Sequence, residues 1–374
     1  MRKLANLGLI LATGIFCSHV MAADIVIGQS APTSGVLGST GAEMVLGVKI
    51  CIDAVNAEGG INGRKLRHVV KDDAYETAQT VANTRELIEK NHAVALIGYA
   101  GTGNIGAVIK EGLLNDNKVP LIAPLTGGES LRKPFNPYVF HIRAGYGDEI
   151  SRMVDQYVNM GISRFAIFYQ NDALGQAGLE GLQTALERHQ LKLAGQASYE
   201  KNTENVTTAV QQLDKANPQV VVMVAVLRPA AAFVRAFRQV KPAAQIFGLS
   251  IINGADLYAL VGANVAAGVG ITQVVPSPQR VNVKIVRDYL SALQKYAPAS
   301  KPSYTSLEEY IGARVLVEGL RRVKGEFSGE AVRHTLESID ASIDGYKVRF
   351  SSDNHVGSRY VGVSLIRADG RVTD

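Results

Sequence analysis

A glycine-rich stretch at 101–106 is the part of the sequence best suited to bind a phosphate or another anion. Its sequence, GTGNIG, has the spacing of the dinucleotide-binding loop, follows an apolar run and opens a stretch with helical periodicity. That loop also needs a carboxylate about twenty positions later to bind the ribose. The chain has Ile, Ala and Pro at 122–124 instead. We therefore interpret the glycines as a loop that lets a ligand or a neighbouring segment approach the backbone.

The acidic and imidazole side chains do not form a catalytic or metal-binding pattern. Asp72 and Asp73 are adjacent at a strand end, where neighbouring side chains point to opposite faces, so structural capping is favoured over acid–base chemistry. No histidine lies at metal-ligand spacing from another potential ligand. Asn171 and Asp172 follow a predicted strand and either cap the next helix or contact a ligand. We expect no enzyme activity, no metal and no cofactor.

The first 22 residues have the order of a secretory signal peptide. Arg2 and Lys3 precede an apolar run at 4–16, which is too short for a membrane span, and Val20-Met21-Ala22 offers a cleavage site. Cys17 raises the alternative of a lipoprotein, but Phe16 is bulky for the position before a lipidated cysteine. We expect export to the periplasm and a mature protein that begins at Ala23 or Asp24.

Composition restricts the architecture and the partners. A chain of 374 residues that is 47% hydrophobic can bury large cores and is long for one domain. Loss of Arg2 and Lys3 lowers the formal charge from +5 to +3, and no block of basic residues suggests nucleic acid. Cys51 is then the single cysteine of the mature chain, so we expect a buried thiol and no internal disulfide.

Two apolar runs on either side of the glycine-rich stretch predict the elements that position it. The runs at 94–97 and 119–123 are typical of strands buried on both faces, and a helical pattern connects them. A strand–helix–strand unit of this length makes a parallel pair. The loops at 99–104 and 124–128 then leave the same edge of the sheet, where open α/β sheets bind ligands.

Strands alternate with helices in two successive series, at 24–143 and at 164–250. Each series predicts a doubly wound, Rossmann-like α/β lobe with helices on both faces of a parallel sheet. Beyond them, long helices are predicted around 282–296 and 307–320. Short strands at 348–350 and 360–366 are separated by a polar turn at 351–358.

From Asp24 onwards the sequence resembles the solute-binding proteins of branched-chain amino acid ABC transporters, the type I periplasmic binding proteins. The motifs are 27–28 (IG), 32–35 (PTSG), 56–66 (NAEGGINGRKL), 72–73 (DD), 95–98 (ALIG), 119–124 (VPLIAP) and 168–172 (FYQND) with Gly175.

The resemblance implies two lobes that close around a solute, joined by a hinge of three crossing strands. We place the crossings near 144–146, 272–275 and 349–352. The predicted organisation is a signal peptide at 1–22, lobe 1 at 23–144 plus 273–350, and lobe 2 at 145–272 plus 351–374. The implied function is a monomeric periplasmic receptor that delivers a small-molecule solute to the membrane permease of an ABC importer. The alternative is a periplasmic sensor of the same fold that acts on a signalling partner.

By the same resemblance, the loops after the third and fourth strands hold the carboxylate of the solute. The candidate ligand-binding residues of lobe 1 are Tyr99, Thr102, Gly103, Leu125, Thr126 and Gly127. Those of lobe 2 are Asp172, Leu174, Leu227, Arg228 and Ser250.

Two departures from the family pattern bear on the solute. The positions that hold an ammonium group in amino acid binders are Leu174, Leu227 and Ser250 here, and none is a good ammonium partner. The cysteine pair of well-known members is replaced by Tyr75 and Gly101. We hypothesise that Arg228 faces the cleft and contacts an anionic or polar group of an organic or aromatic acid. An exposed arginine that points into water is the other interpretation.

Overall fold

The computed structural model describes residues 23–373, so the predicted signal peptide lies outside the described residues. The helices are α1 Gly38–Ala57, α2 Thr77–Glu89, α3 Thr102–Lys110, α4 Leu113–Asn117, α5 Tyr146–Asn159, α6 Ala173–Arg188, α7 Thr207–Ala216, α8 Leu227–Val240, α9 Gly254–Val261, α10 Ala263–Ala266, α11 Lys284–Tyr296, α12 Tyr304–Arg322 and α13 Gly329–Glu337. The strands are β1 Ile25–Ala31, β2 Leu66–Asp72, β3 Ala95–Ile97, β4 Leu121–Ile122, β5 Val139–Phe140, β6 Phe165–Gln170, β7 Gly195–Tyr199, β8 Val220–Val224, β9 Gln245–Gly248, β10 Gly270–Gln273, β11 Asp340–Ile343, β12 Tyr346–Arg349, β13 Gly362–Ile366 and β14 Val372–Thr373.

Lobe 1 is built on a parallel five-stranded sheet in the order β2-β1-β3-β4-β5. Successive side chains of β1 enter different cores: Ile25 and Ile27 pack with α1, α11 and α12, whereas Val26 packs with α2, α3 and α4. This alternation explains why β1 is apolar on both faces and entirely buried. The predicted doubly wound lobe is confirmed.

Lobe 2 is built on a seven-stranded sheet in the order β14-β13-β10-β9-β8-β6-β7. The pairs from β10 to β7 are parallel, and β13 and β14 are antiparallel additions at one edge. The rings of Phe168 on β6 and Phe233 on α8 stack with centroids 4.1 Å apart, which fixes α8 against the sheet. A separate antiparallel hairpin of β11 and β12 belongs to lobe 1.

Among residues 23–373, the stretch Gly35–Ala57 is long and apolar enough to cross a membrane. It comprises a short 3-10 turn and α1, half of its most apolar window is buried, and α1 packs against α12. We therefore interpret it as a core helix of lobe 1. Cys51 lies in this helix as a buried free thiol, as the sequence predicts.

The chain passes between the lobes three times, and the third crossing lies later than we predicted. The first crossing joins β5 to α5, and the second follows β10. After β12, however, the backbone of Val356 pairs with His141, and the ring of His355 stacks on Phe140 with centroids 3.7 Å apart. The polar turn therefore stays on lobe 1, and the chain crosses at 358–361, just before β13. The polar composition of the turn gives no indication in the sequence of these backbone hydrogen bonds.

Candidate functional site

The carboxyl edges of the two sheets face each other and enclose a small cavity. Lobe 1 contributes Tyr75, Gly101 and Leu125 to its walls, and lobe 2 contributes Leu174, Val226 and Ile251. The cavity is closed to about 20 Å³, which is room for about one water molecule. The lobes are therefore in a closed arrangement, and most of the enclosed surface is apolar.

Two threonines from different loops meet at the lobe 1 edge of this site. Thr102 begins α3 after β3, and Thr126 lies in the loop after β4; both are buried, and their hydroxyl oxygens are 2.7 Å apart. The amide of Gly128 donates to the Thr126 hydroxyl at 3.1 Å. A backbone bridge between Ala100 and Leu125 holds the two loops together. The structure thus places side by side the two hydroxyls that the sequence singles out.

The two predicted glycines differ in how closely their neighbours approach. A Cβ on Gly127 would be 2.7 Å from the backbone nitrogen of Tyr146, so close packing requires a glycine there. A Cβ on Gly103 would lie 3.9 Å from the Cβ of Ala173 in lobe 2, which is an ordinary van der Waals contact. Packing at the cleft therefore explains Gly127, whereas the position of Gly103 has room for a Cβ.

Asp172 caps a helix, which is one of the two roles expected from its position after a strand. Its carboxylate accepts hydrogen bonds from the amides of Leu174 and Gly175 at 2.9 and 3.4 Å, at the start of α6. Its other oxygen accepts from Gln170 Nε2 at 2.7 Å. The cap positions Leu174 in the cavity wall but leaves the carboxylate occupied.

Three further candidates, Tyr99, Leu227 and Ser250, do not line the cavity. The ring of Tyr99 is buried in the core between the lobe 1 sheet and α2–α4, and Leu227 is buried in the core of lobe 2. Ser250 donates to Glu149 at 3.1 Å within a buried charge cluster.

Arg228 does not face the cavity, contrary to our hypothesis. Its side chain is 56% exposed and lies 3.4 Å from the carboxylate of Glu204. The physical reason is the start of α8 at Leu227, two residues earlier than Pro229 suggested. This start directs Arg228 to the solvent side of the first turn, while Val226 lines the cavity.

Sequence reasoning missed Lys201, which reaches from lobe 2 across the mouth of the site. Its ammonium donates to Asn104 Oδ1 at 2.7 Å and to Thr77 Oγ1 at 3.3 Å in lobe 1, and it lies 4.3 Å from the centroid of the Tyr75 ring. Burial lowers the pKa of Lys201, and the nearby Asp172 carboxylate opposes this shift. Its sequence position in a polar loop carries no signal, because the partners lie on a different lobe.

Sequence reasoning also gave Tyr75 no role of its own beyond marking a missing cysteine. Its hydroxyl accepts a hydrogen bond from Gln170 Nε2 of lobe 2 at 3.1 Å, and its ring is buried among lobe 2 residues. A Cβ on Gly101 would be only 2.6 Å from that ring. The two positions that replace the cysteine pair are therefore in contact.

The described chain is similar to known binding proteins over nearly its whole length. Residues 24–371 match the family model for a periplasmic binding protein. The Leu/Ile/Val-binding protein homolog 7 of Brucella abortus (strain 2308) is 24% identical over 356 residues, which cover 89% of this chain and 86% of that protein.

Solved structures agree with this family. The substrate-binding periplasmic protein of Ralstonia solanacearum has 34% identity and a TM-score of 0.89, over 94% of this chain and 99% of that one. A solute binding protein of an ABC transporter from R. palustris, in complex with benzoate, has the same fold, with 16% identity and a TM-score of 0.82 over 93% of this chain and 94% of that one. The present chain belongs to the type I periplasmic binding proteins of the branched-chain amino acid family.

Proposed function

We propose that residues 1–22 direct this protein to the periplasm, where it captures a small carboxylate-bearing solute between its lobes and delivers it to the permease of an ABC importer. The solute is an amino acid or an organic or aromatic acid. The observation that carries the proposal is the pair of buried hydroxyls, Thr102 and Thr126, which are 2.7 Å apart and directly follow the cavity-lining residues Gly101 and Leu125.

The surroundings of the two threonines favour a negative charge. When one hydroxyl donates to the other, the second keeps a proton that it can donate to a solute oxygen. Thr102 is also the first residue of α3, a nine-residue helix without an acidic residue in its first turn. The positive end of the helix dipole is therefore not neutralised within that turn, and it favours a carboxylate there.

The facing wall favours an apolar group over an ammonium group. Leu174, Val226 and Ile251 carry no charge, and the carboxylate of Asp172 is occupied by the cap of α6 and by Gln170. An ammonium group that is buried without a carboxylate partner would lose its hydration free energy, and no ion pair would compensate for this loss. Within the solute classes above, this arrangement favours an organic acid.

Calorimetry with matched acids and amides tests the proposal. The protein is unfolded in denaturant, dialysed free of bound solute and refolded, and then titrated with pyruvate, leucine and benzoate and with pyruvamide, leucinamide and benzamide. We expect at least one acid to bind and its amide to bind much more weakly. Thr102→Val keeps the shape of the side chain but removes its hydroxyl. It should weaken the binding of that acid by about 1.5–3 kcal/mol, as for the loss of a hydrogen bond to a charged group.

Thr84→Val is the matched control. Thr84 is also buried in lobe 1, but its hydroxyl donates to Thr80 O at 2.7 Å, and neither Thr84 nor its sequence neighbours line the cavity. The Thr84→Val substitution should lower the stability of the protein without changing its affinity for the acid. Equal binding of acids and amides, or an equal loss of affinity in the two variants, would contradict the proposed carboxylate site.

A further inference from the structure

Tyr75 is held in the cleft by a turn that the Asp72-Asp73 pair builds. The carboxylate of Asp73 accepts from the amide of Tyr75 at 3.0 Å, and that of Asp72 accepts from the amide of Ala74 at 2.9 Å. The turn places Ala74 and Tyr75 in the left-handed region, with φ of 48° and 64°. A bulky residue adopts this conformation only when its surroundings enforce it. The backbone therefore projects this ring into the cleft at a conformational cost.

The ring occupies the space beside the proposed carboxylate site. Gly101, which precedes Thr102, leaves room for the ring because it has no Cβ. On the other side, the ring packs with residues of the lobe 2 core, and its hydroxyl accepts from Gln170 at 3.1 Å. With the ring in place, about 20 Å³ of the cavity is left.

A small rotation about the crossings can separate the lobes and enlarge this cavity. Such a rotation moves the walls formed by Leu174, Val226 and Ile251, whereas the backbone of Tyr75 stays with lobe 1, where Asp73 holds its amide. A ring that stays against Gly101 then still obstructs the space beside Thr102.

We propose that the Tyr75 ring sets the upper size limit of the solute, so that the cleft accepts short aliphatic carboxylates and excludes branched or ring-bearing ones. This inference rests on the proposed function, because it needs the carboxylate of the solute to lie at Thr102 and Thr126. Tyr75 is then a specificity-determining residue that narrows the solute class to short acids.

Calorimetry on ligand-stripped protein tests the size limit with acetate and pyruvate as short acids and benzoate and leucine as bulky ones. The wild type should bind a short acid and exclude benzoate. Tyr75→Gly removes the ring and suits the left-handed backbone, so the variant should fold. It should bind benzoate at least about tenfold more tightly than the wild type, since a cavity of roughly 150 Å³ can hold a benzene ring.

Two further variants separate the ring from its other contacts. Tyr75→Phe keeps the ring but loses the hydrogen bond to Gln170, so it should still exclude benzoate. Tyr75→Ala is the second ring-free variant, with circular dichroism melting to confirm its fold, and should admit benzoate as Tyr75→Gly does. Benzoate binding to the wild type as tightly as to the ring-free variants would overturn the size limit alone. Absence of acid binding to every variant and to the wild type would overturn the proposed function as well.

Discussion

The surroundings of Glu309 strongly disfavour its charged form. It lies fully buried on α12, and within the described part of the chain neither of its carboxylate oxygens has a hydrogen-bond partner. Burial raises the pKa of Glu309 well above its ordinary value, the charge of Glu308 adds to this shift, and Arg143 opposes it. The carboxyl is therefore held in its protonated, neutral form over a wider pH range than a solvated glutamate.

Replacement of Glu309 by glutamine should change how stability depends on pH. A carboxyl with a raised pKa in the folded state contributes stability below its unfolded value of 4.5, and this contribution is lost as the pH rises towards the folded value. The melting temperature of the wild type should therefore fall relative to that of Glu309→Gln as the pH is raised from about 4 to about 8.

Glu330→Gln is the control with the opposite sign. Hydrogen bonds from Arg333 and Tyr138 lower the pKa of Glu330 to about 2. Its contribution is present above its unfolded value of 4.5 and is lost as the pH falls towards the folded value. The variant should be less stable than the wild type at neutral pH, and the difference should shrink in acid. A difference in melting temperature between Glu309→Gln and the wild type that does not change with pH would contradict a raised pKa at this buried position.

At the scale of elements, one arginine holds the first crossing against helices of both lobes. Arg143 is fully buried, with Nη2 3.1 Å from Glu149 on α5 and Nη1 3.3 Å from Glu308 on α12. It also donates to the Ser250 hydroxyl, and Thr272 on β10 donates to Glu149 at 2.5 Å. Burial opposes the charge of Arg143, but Glu308 and Glu149 outweigh it and raise its pKa above the usual range. The cluster fixes the base of the hinge.

Arg143→Met should strongly destabilise the protein. It leaves the buried carboxylates of Glu149 and Glu308 without their cation, and loss of one partner of a buried ion pair costs about 3–5 kcal/mol. Urea unfolding measures this free energy. Arg359→Met is the control, because Arg359 lies near the third crossing but is 72% exposed beside Asp148, so it should change stability little. Equal effects of the two substitutions would contradict a structural role for the cluster.

The elements could be predicted because their signals are local, whereas the missed contacts are long-range. Buried parallel strands such as β3 and β8 read as apolar runs, and the loops after β3 and β4 follow from the parallel order. The ion-pair partners of Arg143 lie up to 165 positions away in the sequence, as Glu308 does, so no local pattern reveals its structural role. The same holds for Lys201 and Tyr75, whose partners lie on the opposite lobe. Arg228 was misplaced because α8 begins two residues earlier than predicted, which puts Arg228 in the first turn of the helix instead of before it.

At the scale of the molecule, the closed arrangement is held by polar contacts that lie around the cavity. Lys201 donates to Asn104 at 2.7 Å, Asn253 donates to Glu43 at 2.9 Å, and Gln170 donates to Tyr75 at 3.1 Å. Each contact joins the two lobes directly and would be lost on opening. On opening, each contact is exchanged for hydrogen bonds to water, so its net contribution is about 1 kcal/mol for the neutral pair and about 1.5–3 kcal/mol where a charged group takes part. A solute that contacts both lobes lowers the free energy of the closed form only.

Small-angle X-ray scattering of the ligand-stripped protein tests whether the two lobes close around the solute. Profiles are recorded without solute and at saturating concentrations of the acid that binds most tightly in calorimetry. We expect the solute to lower the radius of gyration towards about 20 Å, the value for a compact chain of this length. Thr102→Val at the same acid concentration should remain nearer the solute-free value. Identical profiles with and without a bound acid would contradict closure of the two lobes around the solute.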